Sequence, residues 1–381
     1  MTTPRLFALD AFRGMTIAAM LLVNNPGDWE HIYAPLEHAK WSGWTLTDCI
    51  FPFFLFIAGM SMAVSLDQRS AAGANQGTLL LQLQKRAALI FLTGLALNLI
   101  PSWDLQTLRI PGVLQRIALC ALICGPLVML CGSRQIMAWI IGLLTLYSML
   151  MLQWPAPDAD GILVQGVLEP GRDAGSAIDR AVLGNHLWQR AKTWDPEGLL
   201  STLPAVTNML AGALCARFLQ SPRDSGEKTL LLSGAGLFCF AVGEWLDMAL
   251  MPVNKSLWTT SYAVLMSGLA LICFAALYRL LDTQPLQRWQ ISLRRLFQPF
   301  FIYGMNALFI FILSGLFARL LLHTHIPFQG QSMTLQAWLY RPLRDSALTP
   351  QNASLAYALL FNLLMFIVAW GMWKKRWFVK V

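Results

Sequence analysis

Charged and hydrogen-bonding side chains interrupt otherwise apolar stretches at a few places in the sequence, and those are the places where chemistry could be done. Asp10 and Arg13 stand three residues apart. On a helix they share a face and can pair, and an arginine held there can also meet an anionic ligand. Arg116 follows the run RIPGVLQ at 109–115; Pro111 suits a first helical turn and Gly112 a close approach, and the guanidinium is expected to be functional. His38 opens the richest stretch, HAKWSGWTLTD over 38–48. Thr45 and Asp48 have the spacing of a capping box, and Trp41 and Trp44 suit a membrane interface. Those roles leave His38 open as an interfacial structural residue or a proton carrier. In WDPEG, 194–198, Asp195 is expected to cap a helix with Pro196 at its first position, and Glu197 could hold a cationic substrate. No metal is expected, since His323 and His325 lack a third ligand. Cys120 and Cys124, one helical turn apart, read as packing residues.

The elements that must position these groups are membrane helices. Of 381 residues, 56% are hydrophobic and only 13% charged, with a mean hydropathy of +0.53, whereas soluble domains carry about 25% charged residues. The apolar runs extend from Leu6 to Phe378, which excludes a soluble enzyme with one anchor. The formal charge of +8 fits cytoplasmic flanks rich in Lys and Arg rather than a nucleic-acid partner. A cleavable signal is not expected, because Asp10 and Arg13 break the first apolar run. Segments long enough to span occur at 6–25, 45–66, 83–100, 111–131, 135–153, 198–219, 229–251, 257–281, 296–322 and 353–373. The expected fold is an all-α, polytopic transmembrane helix bundle of about ten spans, one domain over 1–381 with a periplasmic loop at 154–197. With the N-terminus inside, sixteen Lys and Arg face the cytoplasm against ten outside, so both termini are expected to be cytoplasmic. All five histidines then lie on the outer side.

The blocks LDAFRG (9–14), HAKWSGWTLTDCIFPFFLFIAG (38–59), RIPGVLQR (109–116), DPEG (195–198), PVNKSLWTTSY (252–262) and PFFIYGMN (299–306) together resemble the heparan-alpha-glucosaminide N-acetyltransferase family. They keep the family's order over almost the whole chain, although each alone is weak. The resemblance implies a polytopic bundle that takes acetyl from cytosolic acetyl-CoA and delivers it to a glucosamine amine on the opposite face. It also implies a smaller bacterial member, without the N-terminal lumenal domain, in the bacterial inner membrane. Residue by residue, His38 falls on the family's catalytic histidine and Asn24 on an active-site asparagine; the loop between them is a few residues longer and carries Pro26. With Asp48 these form the candidate catalytic set. Arg13 and Arg116 are candidates for lining the acetyl-CoA path, and Asp195 and Glu197 for holding the acceptor.

The chemistry is coherent with that topology. A hydrocarbon core of about 30 Å is comparable to an extended coenzyme A, so a threaded cofactor could keep its nucleotide near Lys85 and Arg86, or Arg294 and Arg295. The same cations also satisfy the positive-inside rule. An imidazole, with an ordinary pKa of about 6.5, is matched to taking a proton from a sugar ammonium, and an amide such as that of Asn24 can stabilise an oxyanion. Direct transfer in a ternary complex is favoured over an acetyl-imidazole intermediate. The competing readings are an envelope polysaccharide O-acetyltransferase and a transporter of amino sugars or muropeptides, in which Asp10, Arg13 and Asp48 are pathway residues. The expected partners are a glycan or amino-sugar acceptor and the lipid bilayer, and a homodimer is compatible with the sequence.

Overall fold

The computed structural model describes residues 6–100, 103–283, 287–328 and 330–379. Arg5 and Lys380, two cations in the topology count, lie outside the described residues. The elements run α1 (Phe7–Asn24), α2 (Leu46–Ala71), α3 (Gln76–Leu99), α4 (Val113–Leu130), α5 (Ser133–Gln153), β1 (Ala156–Pro157), β2 (Leu163–Val164), α6 (Ala174–Leu183), α7 (Thr202–Leu219), α8 (Ser225–Ala249), α9 (Thr260–Leu281), α10 (Arg288–Leu296), α11 (Gln298–Met305), α12 (Ala307–His323), β3 (His325–Phe328), β4 (Gln331–Thr334), α13 (Leu335–Arg344) and α14 (Pro350–Lys374). Among the described residues, nine helices are long and apolar enough to cross a membrane, and α11 with α12 forms a tenth candidate bent by 80°. The protein is therefore an all-α polytopic bundle, with two short antiparallel hairpins among the described residues. Large apolar side chains such as Leu92, Ile141 and Phe238 stand exposed on these helices, as lipid-facing positions should.

The bend corrects the continuous span expected over 296–322. Asn306 causes it: its N–H turns back to the Tyr303 carbonyl at 3.3 Å, closing α11 early. Its side chain meanwhile donates to the Trp377 carbonyl at 3.0 Å and accepts the Val379 N–H at 2.9 Å. Leu296 ends the separate amphipathic helix α10 instead.

The chain forms two compact units. One comprises the described parts of Met1–His38, Thr45–Ile50 and Ala276–Val381. Within it α1 packs on α11 at backbone distance, because a Cβ on Gly14 would overlap the Phe300 carbonyl and one on Gly304 the Asp10 carbonyl. Such small-residue contacts are how apolar helices approach closely in lipid. Asn362 of α14 donates to the Ala18 carbonyl at 2.7 Å and accepts the Tyr303 hydroxyl at 2.7 Å, tying the three helices together. The first turn of α1 donates its Phe7 and Ala8 N–H groups to Asp282, at 3.1 and 2.6 Å, which satisfies two of the donors a helix start leaves open.

The other unit comprises Ala39–Trp44 and Phe51–Ala275. Here α2 crosses α7 at Gly59 and Gly212, where a Cβ would overlap the Met209 and Phe56 carbonyls respectively. Helix α4 packs on α3 and α7, and α5 on α7. The 154–197 segment is folded rather than extended: the β1–β2 hairpin and α6 close over a core of Tyr147, Met151, Ala156, Leu200 and Leu257. Arg180 pins it by donating to the Gly171 and Thr193 carbonyls at 2.8 and 2.9 Å.

Candidate functional site

His38 and Asp48, ten residues apart in sequence, are brought together by the loop that precedes α2. The His38 Nδ1 and Asp48 Oδ1 atoms lie 2.7 Å apart. The Asp48 side chain is only 1% exposed while that of His38 is 46% exposed, so a buried carboxylate backs an imidazole that still reaches the outside of the fold. The other carboxylate oxygen of Asp48 accepts from the Thr45 N–H at 3.0 Å and the Thr45 hydroxyl at 3.2 Å. That is the acidic half of the expected capping box. The Thr45 hydroxyl also reaches the Glu37 carbonyl at 2.5 Å, closing the loop around His38. A carboxylate on Nδ1 favours the tautomer with the proton there and the lone pair on Nε2, which is the state a general base needs.

The remaining candidates are placed as follows. Asn24 is the last residue of α1 and exposed, and its side chain has no hydrogen bond among the described residues. Arg13 donates to Asp10 at 3.5 Å, the expected intrahelical pair, and to the Gly304 carbonyl at 3.3 Å.

In the other unit Arg109 organises a second polar site. It grips Asp195 with two bonds of 2.8 and 2.6 Å and reaches Glu197 at 2.5 Å. Burial works against the Arg109 charge, but the Asp195 and Glu197 carboxylates outweigh it and hold its pKa above the ordinary value. Burial likewise opposes ionisation of Glu197, yet the cations of Arg109, Arg116 and Lys255 keep its pKa below the usual range. Asp195 is not the helix cap expected from the sequence: α7 begins later, at Thr202, and Asp195 instead accepts the Glu197 N–H at 2.9 Å in a tight turn. A bidentate guanidinium partner is a stronger claim on a buried carboxylate than a helix end. Similarly, Pro111 precedes α4 rather than lying in its first turn, and Gly112 is the capping residue.

Arg116 is 1% exposed. Its Nη2 donates to the Ser201 hydroxyl and, at 3.1 Å, to the Gly198 carbonyl. Its Nε and Nη1 have no partner among the described residues. The guanidinium sits 5.0 Å from the ring centre of Trp258, whose φ of +54° is rare for a bulky residue. Trp258 is held there by its indole N–H bond to Asn208 at 2.8 Å and by edge contacts with Phe51 and Tyr262.

Sequence reasoning missed Arg109, Trp258 and Asp179. Arg109 and Trp258 lay inside quoted blocks, so their position was visible but their partners were not. Asp179, on α6, is 3% exposed. Its pKa is pushed up to about 7 by burial and by the charges of Asp195 and Asp173, against the pull of the Leu199 N–H and of the Arg116 cation. Of the cofactor-phosphate candidates, Arg294 is engaged by the Leu281 carbonyl at 2.9 and 2.6 Å and by Asp282 at 3.4 Å, with its guanidinium over the Phe7 ring.

A bundle of helices long and apolar enough to cross a membrane, with a carboxylate-backed imidazole in the loop before α2, defines a multi-pass membrane protein. Comparison with known proteins narrows the class. Residues 5–175 match the family described as heparan-alpha-glucosaminide N-acetyltransferase, catalytic. The chain is 27% identical over 429 residues to heparan-alpha-glucosaminide N-acetyltransferase of Homo sapiens, and 26% identical over 432 residues to that of Mus musculus. Each alignment covers 99% of this chain but 60% of the relative. The chain thus spans about 60% of the length of the curated relatives it matches. The resemblance carried by the six sequence blocks is borne out.

Proposed function

We propose that this chain is a transmembrane acetyltransferase that moves acetyl from cytosolic acetyl-CoA to the amine of a glucosamine-type sugar on the periplasmic side of a bacterial inner membrane. The observation that carries the reading is the His38–Asp48 pair, a buried carboxylate fixing an exposed imidazole. In the proposed reaction Nε2 of His38 takes a proton from the sugar ammonium. The freed amine attacks the thioester carbonyl carbon, the new C–N bond forms and the C–S bond breaks. The departing thiolate takes the proton held by His38, and the second proton of the attacking nitrogen, lost as the amide forms, goes to solvent, so the ring returns to its starting state and one proton is released per turnover. Asp48 stabilises the transient imidazolium, as a carboxylate does in acyl-transfer triads. Asn24, exposed at the end of α1, is proposed as oxyanion donor. Arg13 and Arg116 are proposed to line the acetyl-CoA path, a role supported for Arg116 by its two buried, unpartnered donors. A buried donor left without an acceptor costs about 1–3 kcal/mol, which a carbonyl or anionic oxygen of a bound ligand would recover.

The test is acetyl transfer by the purified full chain, supplied with acetyl-CoA and either glucosamine, glucose or no sugar. N-acetylglucosamine formation with stoichiometric release of coenzyme A is expected. Transfer to glucose in preference to glucosamine would instead support the O-acetylating reading. Release of no coenzyme A under any condition would overturn the enzymatic reading.

A further inference from the structure

The chain between Asn24 and His38, the two groups proposed to meet the reacting atoms, is tied down by other helices of the same unit. We infer that Ser354, near the start of α14, is a positioning residue for the proposed acetyl transfer: its hydroxyl clamps the turn that follows Asn24 and so fixes where the Asn24 amide stands relative to the His38 imidazole. The inference rests on the proposed function for the reaction, and on the geometry of this unit for the clamp.

Three observations carry it. Ser354 is 2% exposed, and its hydroxyl is used twice on one residue. It accepts the Asp28 N–H at 3.0 Å and donates to the Asp28 carbonyl at 2.9 Å, across 326 positions of sequence. The Ser354 carbonyl also accepts the Gly27 N–H at 3.2 Å. One buried side chain thus satisfies both backbone groups of a residue in an irregular segment, which has no helix or ladder of its own to do so.

The second observation is that the clamped turn is braced on both sides. Asp28 Oδ1 accepts the Glu30 N–H at 2.9 Å, and its Oδ2 lies 2.7 Å from His31 Nδ1. Gln336 of α13 donates to the Pro26 carbonyl at 3.3 Å, and a Cβ on Gly27 would come within 2.6 Å of the Tyr340 ring. On the other side of Asn24, the Asn25 side chain donates to the Leu21 carbonyl at 2.8 Å and closes the last turn of α1. Asn24 is therefore bracketed by fixed backbone, while its own side chain has no hydrogen bond among the described residues.

The third is the far end of the segment, which is held by α2 and the residues just before it. The Thr45 hydroxyl donates to the Glu37 carbonyl at 2.5 Å and the Thr47 hydroxyl to the Pro35 carbonyl at 3.4 Å, while Asp48 fixes the His38 ring. Midway, the Tyr33 hydroxyl donates to Asn352 Oδ1 at 2.7 Å. The segment is an arch with one foot on α14 and one at α2. Slack at the α14 foot shifts Asn24 against His38, and a misplacement of about 1 Å can cost about 10²-fold in rate.

Ser354→Ala in the detergent-solubilised full chain removes both hydroxyl bonds and keeps the backbone bond from Gly27. Amide hydrogen exchange is expected to quicken about tenfold over 27–33 and to stay unchanged elsewhere. The kcat for acetyl transfer should fall about 10–100-fold with acetyl-CoA affinity retained. In an Asn24→Ala background the same substitution should cost less than about twofold further, because coupled residues are not additive. Unchanged exchange over 27–33 would overturn the proposal, as would wild-type kcat in Ser354→Ala or the full further loss in the Asn24→Ala background. Should Ser354→Ala fail to fold, Tyr33→Phe removes the exposed tie to Asn352 and is read the same way: faster exchange with lower kcat supports the arch, and a wild-type value of either overturns it. Absence of acetyl transfer by the wild-type protein would instead count against the proposed function, and the exchange measurement, which needs no turnover, decides separately whether the clamp exists.

Discussion

Asp48 divides its two carboxylate oxygens between a structural and a chemical partner: one caps the start of α2 through Thr45, the other fixes His38. Asp48→Asn keeps the size and can keep the cap, but presents an amide where Nδ1 needs an acceptor, favouring the wrong tautomer. Its kcat is expected to fall by roughly 10²–10⁴-fold with acetyl-CoA affinity unchanged; steady-state kinetics beside a binding titration checks both halves. Asp179 makes a prediction about stability. Its pKa rises from the ordinary 3.8 to about 7 in the folded state, so between those values the native protein holds a proton that the unfolded chain has released. Stability therefore falls as pH rises through that window, by up to about 4 kcal/mol at about 1.36 kcal/mol per unit. Asp179→Asn should flatten the dependence of the unfolding midpoint on pH between 4 and 7, measured by thermal unfolding in detergent.

At the scale of elements, what was readable in the sequence was what is local. Apolar runs located the spanning helices, although α3 starts at Gln76 rather than at the expected 83, and the spacing of Thr45 and Asp48 located the start of α2, because both signals are local. The pairing of His38 with Asp48 depends on the course of the loop at 39–44, and spacing alone could explain Asp48 as a cap. The break at Asn306 was hidden for a related reason: the run at 296–322 is apolar enough to span, and the groups that hold Asn306 out of the helix are the backbone at Trp377 and Val379. Asp179 carried no motif at all; its meaning comes from Gly198 and Leu199 folding against it. The helix crossings are equally non-local, and they are testable. Gly212→Leu forces side-chain atoms into the Phe56 carbonyl and should destabilise the protein by about 1–3 kcal/mol. Gly142→Ala, in the interior of α5 with nothing within 4 Å of the new Cβ, should instead raise the unfolding midpoint slightly, since an unstrained Gly→Ala stabilises by about 0.4–1 kcal/mol.

At the scale of the whole molecule, the account stands on acetyl crossing a membrane through one chain. The helices supply enough length: each residue of an α-helix rises 1.5 Å and a hydrocarbon core of about 30 Å needs about 20, and spans such as α2 with 26 residues and α14 with 25 exceed that. The asymmetry of Lys and Arg supports a cytoplasmic N-terminus and hence an outward-facing His38. The most direct measurement uses sealed vesicles reconstituted with the full chain, glucosamine trapped inside and acetyl-CoA, which does not cross lipid, supplied only outside. Wild-type vesicles are predicted to accumulate N-acetylglucosamine inside while coenzyme A appears outside, and His38→Ala vesicles to accumulate none while still binding acetyl-CoA. Product that forms only when donor and sugar share a compartment, or that forms equally with His38→Ala, would contradict the account.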